Sequence, residues 1–252
     1  MSDIVGLLGS GDRHTGGGGS TIEAIARDVL TGEVGFKIGV IICSNTREVV
    51  PGFYERFDKL NDEFGLKGED RLEVVPIGPS THPGGKQERG QTADESSAVC
   101  RTLEERGASF AWMAGYLRIT TTEFLDTWCW KPEYAQAPGF EYRNGLYHPR
   151  ALTGNDHPAI LPFIADKWGH GAHEEAKRLY DEGKIKHTAM SWHLAAEKVD
   201  AGPMIDEDPV AINPTDSADN ISDNVQSVEK ARTAKVIAKH LILRGEHLRA
   251  AA

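Results

Sequence analysis

Residues 4–30 read IVGLLGSGDRHTGGGGSTIEAIARDVL, and their order of residue types decides the fold class. Ile4 to Leu8 is a short apolar run of strand length, and Ile22 to Leu30 repeats its apolar residues at helical spacing. Between them lie glycines that can take backbone angles closed to other residues. Strand, glycine-rich loop and helix in that order predict the first unit of a parallel sheet. The pattern then repeats. Phe36 to Cys43 (FKIGVIIC) and Leu72 to Ile77 (LEVVPI) read as strands, and Ser109 to Ala114 (SFAWMA) as a fourth. Helical patterns at about 53–64 and 95–106 alternate with them. A helix over about 170–182, a strand at about Thr188 to Ala195 and an amphipathic helix from Ile221 to about Arg244 complete the reading. The class is α/β, a doubly wound and mostly parallel sheet with helices on both faces. Loops at 81–91 and 131–154 are of a length that is usually functional or mobile, and 131–150 reads either as a lid over a ligand or as a surface elaboration packed on the core or at a subunit contact.

Composition narrows the partners. With 252 residues, a formal net charge of −10 and no basic stripe, nonspecific nucleic-acid binding is excluded. The start MSDIVGLLGSGD is neither a secretion signal nor a membrane span, so the expected setting is cytoplasmic, with small-molecule partners and a homodimer as the candidate assembly. Cys43, Cys100 and Cys129 are odd in number and lack paired spacing, which fits reduced, buried thiols. His170 and His173 stand one helical turn apart, but no HExxH or Cys/His pair completes a tetrahedral set, so no metal is expected.

Three stretches carry chemistry. The glycine loop could cradle an anion on backbone N–H groups and a helix N-terminus. It has no Walker lysine, and a GxGxxG reading from Gly9 and Gly11 reaches His14. GNDHPAILP at 154–162 sets Asn155 and His157 two residues apart. In extended chain both face one way, and Pro158 biases His157 toward extended angles. SWHLAAEKVDAGP at 191–203 puts Ser191 and His193 on one strand face and Asp200 in the turn that follows, from where it can return toward His157. A carboxylate beside an imidazole favours the imidazolium and fixes its tautomer.

In this order the segments resemble the folate-dependent formyltransferases that act on glycinamide ribonucleotide. GGGGSTIEAI at 16–25 is similar to that family's phosphate loop, and AGYLRITTTEF at 114–124 to its AG(F/Y)MRIL folate segment. GNDHPAILP is similar to NIHPSLLP, SWHLAAEKVDAGP to SVHFVTDELDGGP, and NVQSVE at 224–229 to the substrate-binding terminal helix. The resemblance implies one formyltransferase domain over 1–252, with a phosphate-binding half at 1–125, an inserted loop at 126–154 and a catalytic half at 155–252. It implies 10-formyltetrahydrofolate as co-substrate. Asn155, His157 and Asp200 would be catalytic, and Gly17, Gly18, Gly19, Ser20, Gln226 and Glu229 would hold phosphate and ribose. Leu117, Arg118, Ile119 and Arg89 would meet the folate, with Ser191 and His193 supporting the centre. Alternative readings are a relative formylating an amino sugar nucleotide, a formyltetrahydrofolate hydrolase, and a nonenzymatic nucleotide-binding module. Asp156, between the amide and the imidazole, and the long stretch 129–154 depart from the family pattern.

Overall fold

A computed structural model describes residues 3–12, 18–82, 90–165 and 167–251. The chain forms two compact units, Met1–Trp128 and Cys129–Ala252.

The first unit alternates strands and helices: β1 (Ile4–Gly9), α1 (Ser20–Leu30), β2 (Lys37–Cys43), α2 (Pro51–Glu63), β3 (Val74–Pro76), α3 (Ala93–Glu105), β4 (Phe110–Met113) and α4 (Thr122–Trp128). Its strands lie in the order β3-β2-β1-β4, every pair parallel. The apolar runs explain this. Val5, Leu7 and Leu8 of β1 and Ile41, Ile42 and Cys43 of β2 are fully buried or nearly so, as strands covered on both faces require. Burial of each such leucine or isoleucine contributes about 1.5–3 kcal/mol. β3 is shorter than the expected Leu72 to Ile77, because Leu72 instead exchanges hydrogen bonds with the Asn61 side chain at 2.8 and 3.0 Å.

The second unit comprises β5 (Thr153–His157), α5 (His170–Asp181), β6 (His187–Leu194), β7 (Met204–Ala211) and α6 (Ala218–Ala251). Its strands run in the order β5-β6-β7, both pairs antiparallel. β7 has no counterpart in the sequence reading, since Asp206, Glu207, Asp208 and Pro209 are poor strand formers. It forms because it is an edge, where proline and charge are tolerated. Asp206 and Asp208 are answered by Lys239 and Arg232 of α6 at 3.1 and 3.0 Å. α6 is 34 residues long and continues past Arg244, the expected end.

Residues 129–152 explain that length. They contain two short 3-10 helices and bury Cys129, Tyr134, Leu146, Tyr147 and Ala151. Tyr134 stacks on His148 at 3.9 Å, and Tyr147 stacks on His247 at 4.4 Å and on His240 at 5.6 Å, both on α6. Arg244 donates to the Pro149 carbonyl at 2.8 Å. A packed elaboration accounts for these contacts, which brace the last turns of α6. Cys43, Cys100 and Cys129 are free thiols in buried positions. Among the described residues no helix is long and apolar enough to cross a membrane.

Burial pushes the His240 imidazole down to about 3 and that of His173, on α5, down to about 4. Both rings are neutral in the folded protein and take a proton on unfolding below about pH 6.5. Stability from each is therefore complete above that pH and is lost on acidification, by up to about 1.4 kcal/mol per pH unit per ring. Replacing His240→Phe keeps a ring beside Tyr147 and removes one titration. Its urea midpoint should vary less than the wild-type midpoint between pH 6.5 and 4; parallel curves would contradict the assignment.

Candidate active site

β5 and β6 pair Asn155 with His193 and His157 with Ser191. Residues directly opposite in an antiparallel pair share a face, so these four polar side chains converge on one side of the hairpin. Asp156 takes the other face, opposite Trp192, and is buried there. Trp192 is itself anchored by its Nε1, which donates to Thr233 Oγ1 of α6 at 3.0 Å.

The turn after β6 brings back the fifth group. Asp200 sits at φ 54, a left-handed conformation that aspartate tolerates better than most residues. Two residues on, a Cβ at Gly202 would lie 1.8 Å from the Leu194 carbonyl oxygen, so only glycine lets the returning chain rest on β6. Leu194 N donates to Pro203 O at 2.9 Å and closes the turn. The spacing of Asp200, Gly202 and Pro203 is thus set by a backbone contact. Its result is an Asp200 carboxylate 3.4 Å from His157 Nδ1 and 3.6 Å from His193 Nε2, all three side chains at most 7% exposed.

Proton counting distinguishes the two rings. His157 Nε2 is 2.6 Å from the Ile164 carbonyl and its Nδ1 faces Asp200, so both nitrogens meet acceptors. Only an imidazolium donates at both. His193 Nδ1 lies 2.9 Å from the Leu194 carbonyl and can donate there, which leaves Nε2 to accept from Asn155 Nδ2 at 3.1 Å. In that arrangement the ring takes up one of the two N–H bonds of the Asn155 amide. With His157 protonated, the cluster presents a cation there and an amide N–H at Asn155, which is half-buried. Together they can stabilise developing negative charge on a ligand oxygen.

Support comes from beneath. Ser191 Oγ donates to the Ala159 carbonyl at 2.8 Å and lies 3.2 Å from Glu207 Oε2, which pins the turn containing Ile164. His173 is a third buried imidazole. Its basicity is lowered chiefly by burial and further by His170 and His157, and its Nδ1 has no hydrogen-bond partner among the described residues. Sequence reading missed Glu207, the Ile164 carbonyl and the burial of His173. The histidine carried a signal only as half of a failed metal pair. Among the described residues no cluster of His, Cys, Asp and Glu is placed to hold a metal.

Elsewhere in the second unit, α6 carries Gln226, exposed and bonded to Ser222 at 3.1 Å, and the half-buried Glu229. In the first unit, Gly18 and Gly19 take φ of 98 and 77 and lead into Ser20, the first residue of α1. A Cβ on Gly18 would lie 2.8 Å from the Asp12 backbone nitrogen. Leu117 and Ile119 are exposed, whereas the Arg118 side chain is buried against Glu95. Gly17 and Arg89 lie outside the described residues.

No protein-family model matches the chain. The trifunctional purine biosynthetic protein adenosine-3 of Gallus gallus is 25% identical over 201 residues, which are 80% of this chain and 17% of that protein. The chain therefore spans about a sixth of this curated relative, from the 17% coverage. The crystal structure of phosphoribosylglycinamide formyltransferase from Bacillus halodurans superposes with a TM-score of 0.65 over 95% of both chains at 23% identity. A formyltetrahydrofolate deformylase from Pseudomonas syringae gives 0.61 over 96% of this chain and 62% of its own, at 18% identity. The chain has the α/β fold that these structures share.

Gly202→Ala tests the backbone contact that sets Asp200. The added methyl should force the turn off Leu194 and cost about 1–3 kcal/mol, read as a lower urea midpoint. An unchanged midpoint would show that the close approach is not needed.

Proposed function

We propose that this chain transfers the formyl group of 10-formyltetrahydrofolate to the amine of glycinamide ribonucleotide, as a cytoplasmic enzyme of purine biosynthesis. The observation that carries this reading is the convergence of Asn155, His157 and Asp200 on one buried cluster, with a charge assignment suited to an oxyanion. The Gallus gallus relative is named for purine biosynthesis and the Bacillus halodurans structure for phosphoribosylglycinamide formyl transfer, which supports the same reading.

In this reaction the acceptor nitrogen attacks the formyl carbon, the C=O pair moves onto oxygen, and a tetrahedral intermediate forms. Collapse re-forms the C=O and breaks the bond to N10, while a proton passes from the attacking nitrogen to N10. Asn155 donates to the oxyanion, and the His157 imidazolium, held between Asp200 and the Ile164 carbonyl, lowers its energy through charge. Asp200 keeps His157 charged and receives the amine proton through water before it reaches N10. Ser191 and His193 hold the donors in place. Gly17, Gly18, Gly19 and Ser20 are assigned the acceptor phosphate, and Gln226 and Glu229 its ribose and phosphate. The backbone around Leu117, Arg118 and Ile119 is assigned the pterin, and Arg89 the folate tail. The domain reading is a phosphate-binding half at 1–125, an insertion at 126–154 and a catalytic half at 155–252. The partners are small molecules, and the assembly is a homodimer.

Hydrolysis is the second reading, because the deformylase of Pseudomonas syringae shares the fold. The deciding experiment supplies 10-formyltetrahydrofolate with glycinamide ribonucleotide, with an amino sugar nucleotide, or with water alone. Formylated glycinamide ribonucleotide as the main product is expected. Formate released at the same rate in every arm would establish the hydrolase instead.

The glycine loop gives an independent check. Gly18→Val places a branched side chain where the φ of 98 and the nearby Asp12 nitrogen leave no room. It should raise KM for the phosphorylated acceptor more than KM for folate. Equal increases would make the loop purely structural.

A further inference from the structure

Residues 114–121 leave β4 as a segment whose side chains alternate in burial. Tyr116 and Arg118 are 8% and 7% exposed, and Leu117 and Ile119 are 46% and 50% exposed. Such a display of large aliphatic groups needs its inner side held, and the holding is specific. Ser10 N donates to the Gly115 carbonyl at 3.2 Å, and Ser10 Oγ accepts from Leu117 N at 2.8 Å. Gln91 N donates to Ile119 O at 2.8 Å, and Thr121 N donates to Ser96 Oγ at 3.1 Å. Ser96 Oγ in turn donates to Gln91 Oε1 at 2.6 Å, and Gln91 Nε2 reaches the Tyr116 hydroxyl.

Glu95 is central to this network. It is fully buried at the N-terminus of α3, where its carboxylate accepts from Thr92 N at 2.7 Å and completes a capping box. The cap alone needs one oxygen. Both oxygens also receive Arg118 Nη2, at 2.9 and 3.0 Å, and the same nitrogen donates to the Gly90 carbonyl at 2.7 Å. A buried ion pair adds little net stability, because desolvation offsets the attraction, but it fixes orientation. Here it turns residue 118 inward, and alternation then turns Leu117 and Ile119 outward.

We infer that Glu95 is a positioning residue for folate: through Arg118 it fixes the exposed edge Leu117–Ile119 in the register that the co-substrate meets. The inference rests on the formyl-transfer reading for the identity of the ligand. Glu95→Gln retains an acceptor for Thr92 and for Arg118 and removes the charge. It should raise KM for 10-formyltetrahydrofolate about tenfold, and the dissociation constant for tetrahydrofolate in calorimetry to match, as expected for weakening one charged hydrogen bond. KM for glycinamide ribonucleotide and kcat should stay within about twofold, less than one neutral hydrogen bond. Ser96→Ala, a smaller change, should raise the folate constants roughly threefold and carries the test if Glu95→Gln does not fold. Unchanged folate constants in the folded variants, with only a lower melting temperature, would overturn the inference and leave Glu95 a structural cap. A wild-type protein that binds tetrahydrofolate but formylates nothing would sink the proposed reaction, while the calorimetric comparison would still decide the role of Glu95. A wild-type protein that binds no tetrahydrofolate would overturn both.

Discussion

The Asp200 carboxylate lies between two buried imidazoles, and the rest of the candidate site is arranged around that charge. A carboxylate at this depth is stable only with a cationic partner, and His157 becomes one because its other nitrogen already meets the Ile164 carbonyl. The second ring, His193, is held by the Leu194 carbonyl at Nδ1 and by the Asn155 amide at Nε2. The left-handed backbone at Asp200 and the bare contact at Gly202 are the local distortions that this placement requires.

Alternation made most of this centre legible in the sequence. Asn155 and His157, like Ser191 and His193, are spaced by two, and a strand spaced by two has one face, so the only missing element was the pairing of β5 with β6. Asp200 could be placed near them because a turn signal follows β6. The Ile164 carbonyl was not legible, since a backbone acceptor leaves no mark on residue type. Glu207 was hidden in a run of acids that reads as loop until the edge position of β7 is known. His173 was weighed as a metal ligand because spacing in a helix is visible and burial is not. The parallel strands of the first unit were legible as continuous apolar runs, and only their ends shifted.

Residues 129–152 and the last turns of α6 pack against each other. Tyr147 lies against His240 and His247, and Arg244 reaches Pro149, so each segment supplies the burial that the other lacks. Aromatic and turn residues alone could not distinguish this from a lid, because the partner surface is α6, with Arg244 lying 95 residues from Pro149 in the sequence. In the first unit the equivalent device is polar. The carboxylate of Glu95 caps α3 and grips Arg118 at once, so a helix terminus and the exposed edge at Leu117 and Ile119 are set together.

In the proposed reaction Asn155, His157 and Asp200 act as one unit on one intermediate. The most direct measurement is a double-mutant cycle on kcat for formyl transfer with Asn155→Ala, Asp200→Asn and the combined variant. Asp200→Asn keeps a residue that tolerates φ 54 and removes only the charge. Each single variant should lose roughly 10²–10³-fold, with the double variant little worse than the poorer single one. Losses that multiply fully, or a folded single variant with the wild-type rate, would contradict the account.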